Sequence, residues 1–274
     1  MLPLLSRLSR NSRLAVCALP VVVLLGVAAL APLPFAVAQP GSATDVLGKD
    51  SEGRPVISVT GVPTRETTGK LRMTTIVATG PSIDHRVGEL ADAWFRDDRA
   101  VMPHDVVYPT GGDDEEIAEY NKGEMLKSQN SAVSAALGYL GDKGKDAKGK
   151  NAKVDLHLAD VGGPSAGLLF TLGIIDKIDG NGAGGDLTGG RDIAGTGTID
   201  ADGTVGQVGG VPLKIKGAKA DGATVFLVPQ NECSQAKTGL PAGMRLVPVS
   251  TLDGAVTALR ELAKPGGTGT VPSC

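Results

Sequence analysis

The chain has 274 residues, 41% hydrophobic and 21% charged, enough for one substantial core or two small ones. A net charge of -3 and an aromatic content of 3% exclude a basic, base-stacking nucleic-acid surface. The 39 glycines fall between periodic segments without a repeat, which makes them turn and loop residues rather than a collagen-like or low-complexity array.

At the N-terminus, Arg7, Arg10 and Arg13 precede an uncharged apolar run from Leu14 to Leu30, near the roughly 20 residues that a bilayer-spanning helix needs. Residues 1–38 are therefore expected to form a signal or anchor segment. An uncleaved, single-pass anchor in the cell membrane would leave the long C-terminal part extracytoplasmic. The alternative is secretion after cleavage near Ala38, in the small-x-small sequence Ala36-Val37-Ala38, although Pro32, Pro34 and Pro40 crowd that site. Cys17 lies inside the apolar run and reads as a small buried residue. Cys233 and the terminal Cys274 are left as a pair that an oxidising compartment permits. A disulfide between them would tie the Gly-rich tail, 265–274, to the body, and spacing in sequence leaves that pairing open.

Residues 39–54 are polar and rich in Gly, Ser and Asp, the composition of a linker. Val56–Thr60 and Leu71–Ala78 are β-rich and joined by a polar turn containing Pro63, which predicts an antiparallel pair. Val87, Leu90, Ala91 and Trp94 recur at helical spacing and predict a short helix over 85–95. A long helix is predicted over 113–140, where Ile117, Tyr120, Met125, Ala132, Ala135, Ala136 and Leu137 repeat and Asp113, Asp114, Glu115 and Glu116 suit the positive end of the helix dipole.

Residues 141–153 form a Gly/Lys/Asp loop without periodicity. Within it, Gly144–Lys150 copies the spacing of a phosphate-binding loop, but Asn151 stands where Ser or Thr is needed and no buried strand or apolar helix flanks it. Gly180–Gly185 matches a dinucleotide-binding glycine pattern by letter, yet no strand leads into it. Both read as loops, and neither a cofactor nor a metal is expected.

The chemistry lies further on. Val154, Leu156 and Leu158 alternate with Asp155 and His157 as in a half-buried strand, and Leu168–Ile178 is compatible with an apolar helix. Between them stands Gly162-Gly163-Pro164-Ser165-Ala166-Gly167. Pro164 is tolerated at a helix start because its missing N–H would be unpaired there. Gly163 and Ala166 leave room for a substrate backbone beside the Ser165 hydroxyl, and free amides at the helix entrance could hold an oxyanion. The plainer reading is a serine that caps a turn. A nucleophilic serine needs a base, and His85, His104 and His157 offer no catalytic context, His157 alternating outward on its strand. Lys214 is the better candidate: it follows the small-residue stretch Val205–Gly210 and opens a helix toward Ala220, where burial would favour the neutral amine. Lys216 and Lys219 read as residues of the solvated face, though spacing alone leaves Lys216 open as the base.

Gly163-Pro164-Ser165-Ala166-Gly167, Thr196-Gly197-Thr198-Ile199, Gly203, Gly209-Gly210 with Lys214, and Thr224-Val225-Phe226-Leu227-Val228-Pro229 resemble, in order and spacing, the signatures of the Lon protease proteolytic domain. The resemblance covers most of 56–262 and is nearest to bacterial membrane-anchored Lon-like proteases that carry a PDZ module. Here only the loop 141–153 stands where that module is expected, and no AAA+ ATPase module is present in the sequence. Carried over by motif, Ser165 is the nucleophile and Lys214 its general base, with Thr196 assisting by hydrogen bonding. Many Lon domains have an acidic residue three positions before the serine, where this chain has Gly162, with Asp160 nearby.

The resemblance implies an α/β (α+β) Lon-type domain over 55–264, with small mixed sheets and packed helices. Its expected activity is that of an ATP-independent serine endopeptidase, a Ser-Lys dyad hydrolase of flexible or unfolded polypeptides. The family also implies a homo-oligomer, commonly a hexameric ring. The alternatives are a non-catalytic, membrane-anchored scaffold or peptide-binding protein on the same fold, and an amidase or esterase using the same dyad.

Overall fold

The computed structural model describes residues 9–109, 111, 113–142, 149–158, 162–264 and 270–274. Arg7, Asp160, most of the phosphate-loop-like segment and tail residues 265–269 lie outside the described residues. In chain order the elements are α1 (Arg10–Leu30), β1 (Phe35–Asp45), β2 (Ile57–Thr60), β3 (Lys70–Ala78), α2 (Val87–Trp94), β4 (Ala100–Pro103), α3 (His104–Val107) and α4 (Asp114–Asp142). They continue with β5 (Lys153–Leu156), α5 (Gly167–Ile178), β6 (Asp192–Gly195), β7 (Thr198–Ile199), β8 (Val205–Gly206), α6 (Val211–Ala220), β9 (Val225–Pro229), α7 (Cys233–Ala236), β10 (Arg245–Val249) and α8 (Leu252–Ala263). Single 3-10 turns occupy Pro164–Ala166 and Gln230–Glu232. The fold is mixed α/β, of the α+β kind.

The chain divides into two units, Met1–Ala38 with Ala78–Asp113, and Gln39–Val77 with Asp114–Cys274. In the first, the start of β1 pairs antiparallel with β4, from Phe35 opposite Pro103 to Ala38 opposite Ala100. Ala36, Ala38, Leu90, Ala93 and Tyr108 are buried there. His85 is buried too, with its ring nitrogens 3.1 Å from Glu89 Oε2 and 3.0 Å from Thr79 Oγ1. Helix α1 leaves its large apolar side chains exposed from Leu14 to Leu30. That uncharged run covers roughly 25 Å at about 1.5 Å per residue, against about 30 Å of hydrocarbon. Among the described residues no helix is long and apolar enough to cross a membrane, which differs from the length argument made on sequence.

The expected boundary at Ala38 falls inside β1, and the expected linker 39–54 begins with the rest of that strand. Its buried positions are small (Ala36, Ala38, Ala43): the apolar first half read as the end of the anchor, and the polar second half, burying only Ala43, read as a linker. The expected antiparallel pairing of the runs at 56–60 and 71–78 is also corrected. β2 pairs antiparallel with β5, and β3 runs parallel to β6. β-propensity selects strands, but partners are set by long-range burial that a local turn does not reveal.

The second unit is built on the strand order β10-β9-β6-β3-β1, in which β3, β6, β9 and β10 are parallel. Helix α5 is the centre of the core: every residue except Lys177 is buried, as an all-round apolar helix requires. It packs against α4, β2, β7 and α8. Its Leu168, Leu169, Phe170, Leu172, Ile174 and Ile175 are fully buried, each worth about 1.5–3 kcal/mol of transfer free energy. The one hydroxyl among them, on Thr171, donates to the carbonyls of Gly167 (2.9 Å) and Ala132 (3.3 Å). This helix fixes whatever chemistry its N-terminal turn carries.

Candidate active site

The turn Pro164–Ala166 runs directly into α5, so the rigidity of that helix is passed to Ser165. Gly163 enters the turn at φ +89°, a conformation that a Cβ disfavours, and Pro164 sits where its missing N–H costs nothing. Helix α4 clamps the turn from outside: Gly163 N donates to Asn121 O (3.1 Å) and Ser128 Oγ to Pro164 O (2.9 Å). A Cβ built on Gly162 would stand 2.7 Å from Asn121 Cβ. The residue in the position where many Lon domains have an acid is thus packed against α4 too closely for a side chain to enter without moving the helix.

On the opposite side the turn is held by the end of β6. Gly197 N and Thr196 Oγ1 both donate to the Ser165 carbonyl, at 3.0 and 3.3 Å. Ser165 remains half-buried, and its amide, in the first turn, precedes any intrahelical acceptor.

Lys214 enters from α6, which begins after Gly210 at φ +71°. Its side chain is 4% exposed, and Nζ donates to Thr196 Oγ1 at 3.1 Å. Thr196 therefore binds the lysine with its oxygen and the serine backbone with its hydrogen. Desolvation lowers the Lys214 pKa to about 8, opposed by the negative charge of Glu232. Among the described residues no hydrogen bond joins the Ser165 hydroxyl to Lys214.

Thr196 and Glu232 follow the C-terminal ends of the adjacent parallel strands β6 and β9, with α6 as the connection between those strands. Chain segments leaving one sheet edge converge in this way on a common point. Glu232 was not singled out in the sequence, where Gln230-Asn231-Glu232 reads as a polar turn. It is 9% exposed, and its Oε1 accepts Val208 N at 3.0 Å. Lys216, which spacing left open as the base, and Lys219 are only half-buried and lie beside Gly239 and Gly243. His157 is exposed, His104 Nε2 lies 3.1 Å from Pro81 O, and His85 belongs to the first unit.

A groove of about 720 Å³ opens beside Gly162, between α4 (Asn121, Met125, Gln129) and the strand end Leu156–Leu158. Among the described residues β5 pairs only with β2, and its last residue, Leu156, lines this groove. Next to Glu232, Cys233 at the start of α7 is joined by a disulfide to Cys274. No group of His, Cys, Asp or Glu among the described residues is arranged to hold a metal ion. In comparisons with known proteins, no family model matches the chain and no curated protein matches it.

Proposed function

We propose that the second unit is a Ser-Lys peptidase domain of the Lon type, an ATP-independent endopeptidase for flexible or unfolded polypeptides. The observation that carries this reading is the buried Lys214–Thr196–Ser165 connection, in which a lysine with a pKa near 8 is tied through one threonine to a serine at a helix entrance. At pH 7 roughly a tenth of such a lysine is neutral. A neutral amine has two hydrogens and one lone pair. One hydrogen stays on Thr196, and the lone pair takes the Ser165 proton as the serine oxygen attacks the scissile carbonyl. The Ser165 amide at the head of α5 faces the developing oxyanion. The lysine, now charged, returns its proton to the leaving amine, and water then releases the acyl-enzyme.

An extended substrate would lie in the groove along α4, adding beside the end of β5 so that backbone hydrogen bonds align its carbonyl near Ser165. That mode suits unfolded chains and requires no ATP. The N-terminal helix α1 is proposed as the export and membrane-attachment segment that places the domain outside the cytoplasm. Retention is favoured over cleavage because a cut after Ala38 would take the first half of β1 away from β4. Assembly into a homo-oligomeric ring is part of the same proposal.

The test uses the full chain, since removing the N-terminal segment and the expected linker, residues 1–54, would remove β1. Degradation of casein without ATP is expected for the parent and absent for Ser165→Ala. Equal degradation by both would remove the serine mechanism. Absence of cleavage by the parent, as a monomer and as an assembled ring alike, would favour the peptide-binding scaffold, which the same groove could serve.

A further inference from the structure

Two ionisable groups are buried on the base side of the site, and the mechanism above uses only one. Glu232 closes the turn that follows β9, and its two oxygens have different fates. Oε1 accepts the amide of Val208, two residues before the glycine at which α6 begins. Oε2 is buried and has no hydrogen-bond partner among the described residues. A carboxylate left in this state favours a nearby positive charge, and Lys214 acts on it electrostatically, with no ion pair within 4.0 Å joining the two among the described residues. The other charged groups around α6 are placed by contacts that do not include Glu232. Lys216 and Lys219 lie along Gly239 and Gly243, Asp192 is bound by Arg72, Asp221 accepts Ala43 N, and Lys237 beyond α7 is exposed.

We propose that Glu232 is a positioning residue for the Lys214 base: Oε1 tethers the entry of α6, and Oε2 presents the one buried negative charge that orients the lysine. The proposal rests on the Ser-Lys reading for its catalytic meaning, and on burial and connectivity for its geometry. Burial drives both groups toward neutrality, the carboxyl upward and the amine downward, while each charge opposes the other's loss. The disulfide from Cys233, the next residue, fastens the same turn to the C-terminus.

Glu232→Gln keeps the Oε1-type acceptor for Val208 and removes only the charge. Without its anion Lys214 loses its proton more readily, so the acid limb of kcat/KM for casein-derived peptides is expected to move about one unit to lower pH. Glu232→Ala also frees the entry of α6, and is expected to lower kcat in addition to moving the limb. A purely structural glutamate would reduce activity in both variants and leave the limb in place, which would overturn the proposal. The second measurement does not depend on turnover. Acetylation of Lys214 by acetic anhydride, followed by mass spectrometry across pH 6 to 11 on the full chain, reads the lysine directly in parent and Glu232→Gln. A labelling curve unmoved by the substitution overturns the proposal whatever the activity. A curve displaced to lower pH in a chain that cleaves nothing would sustain the Glu232–Lys214 coupling and bring down the peptidase reading instead.

Discussion

The two ends of helix α5 each adjoin a buried ionisable group, and only one end looks like a site. Near the N-terminal end Lys214 is driven down to about pKa 8. At the C-terminal end Asp176, fully buried, is driven up to about 6 by desolvation, with the like charge of Asp186 adding to it. Each has one short bond: Lys214 to the Thr196 hydroxyl at 3.1 Å, Asp176 from Leu187 N at 2.7 Å. The difference lies in what the bond reaches. Asp176 binds a backbone amide and so fixes the loop after α5, where its second oxygen is buried without a partner among the described residues. Lys214 binds a side chain that in turn holds the carbonyl of a half-buried serine, three residues after Gly162 on the wall of an open groove. Desolvation perturbs a titration in both places. A displaced pKa becomes chemistry only where a nucleophile and access to it lie at the other end of the bond.

The largest effect that would break this comparison is on turnover. Ser165→Ala is expected to lower kcat/KM on unfolded substrates by about 10³-fold or more, while Asp176→Asn leaves it within a few-fold. Comparable losses in the two variants would mean that the N-terminal end has no special role.

Stability against pH separates the same two groups with opposite signs. The folded pKa of Asp176 is raised, so its favourable contribution is fully present below about pH 4 and is lost as pH rises through about 6. Relative to the parent, Asp176→Asn should therefore gain stability between pH 4 and pH 8, by roughly 2–3 kcal/mol. The folded pKa of Lys214 is lowered, so its contribution is present above about 10.5 and lost as pH falls through about 8. Lys214→Met should thus be most favoured relative to the parent near pH 7, the difference shrinking by roughly 3 kcal/mol toward pH 11. Denaturant unfolding across pH measures both, and slopes of the same sign would show that one environment has been misread.

The disulfide belongs to the site's end of the comparison because Cys233 follows Glu232. Its partner is 41 residues away in sequence, and opening a loop of that length costs about 2–4 kcal/mol. Cys274→Ser should lower stability by that amount and loosen the turn after β9, with no change in the pH dependence that Asp176 contributes.

Sequence reasoning singled out Ser165 and Lys214 because a helix-entrance motif and a glycine-marked lysine are local patterns, and it placed a helix over 168–178 because a long apolar run is one too. It did not find β1, whose first half lay in the segment read as signal or anchor and whose second half buries only Ala43 in a polar stretch, nor the parallel pairing of β3 with β6, which only the assembled core determines. Asp176 gave no warning: one acid in an apolar helix does not disclose which backbone amide it will meet. Glu232 was equally silent, since its meaning depends on α6 arriving from 18 residues earlier in the chain. Thr196 entered through the family resemblance and not through any local signal.

The smallest effect is also the sharpest, because α5 has a buried hydroxyl contact at each side of its first turns. Thr196 and Thr171 are both fully buried. Thr171 donates only to backbone carbonyls, so Thr171→Val should cost about 1 kcal/mol of stability and leave catalysis unchanged. Thr196 gives its hydrogen to the Ser165 carbonyl but accepts from Lys214, and valine of the same shape removes both bonds. Gly197 N still holds that carbonyl at 3.0 Å, so the serine turn should remain in place and the loss should fall on the lysine. Without an acceptor the ammonium is harder to keep buried, and Lys214 should titrate lower still. Thr196→Val is therefore expected to reduce kcat by about 10- to 50-fold with the acid limb moved to lower pH, and Thr196→Ser, which restores the oxygen, to recover most of both. A kcat loss with an unmoved limb would reduce Thr196 to the role that Thr171 plays, a satisfied hydroxyl in a packed core.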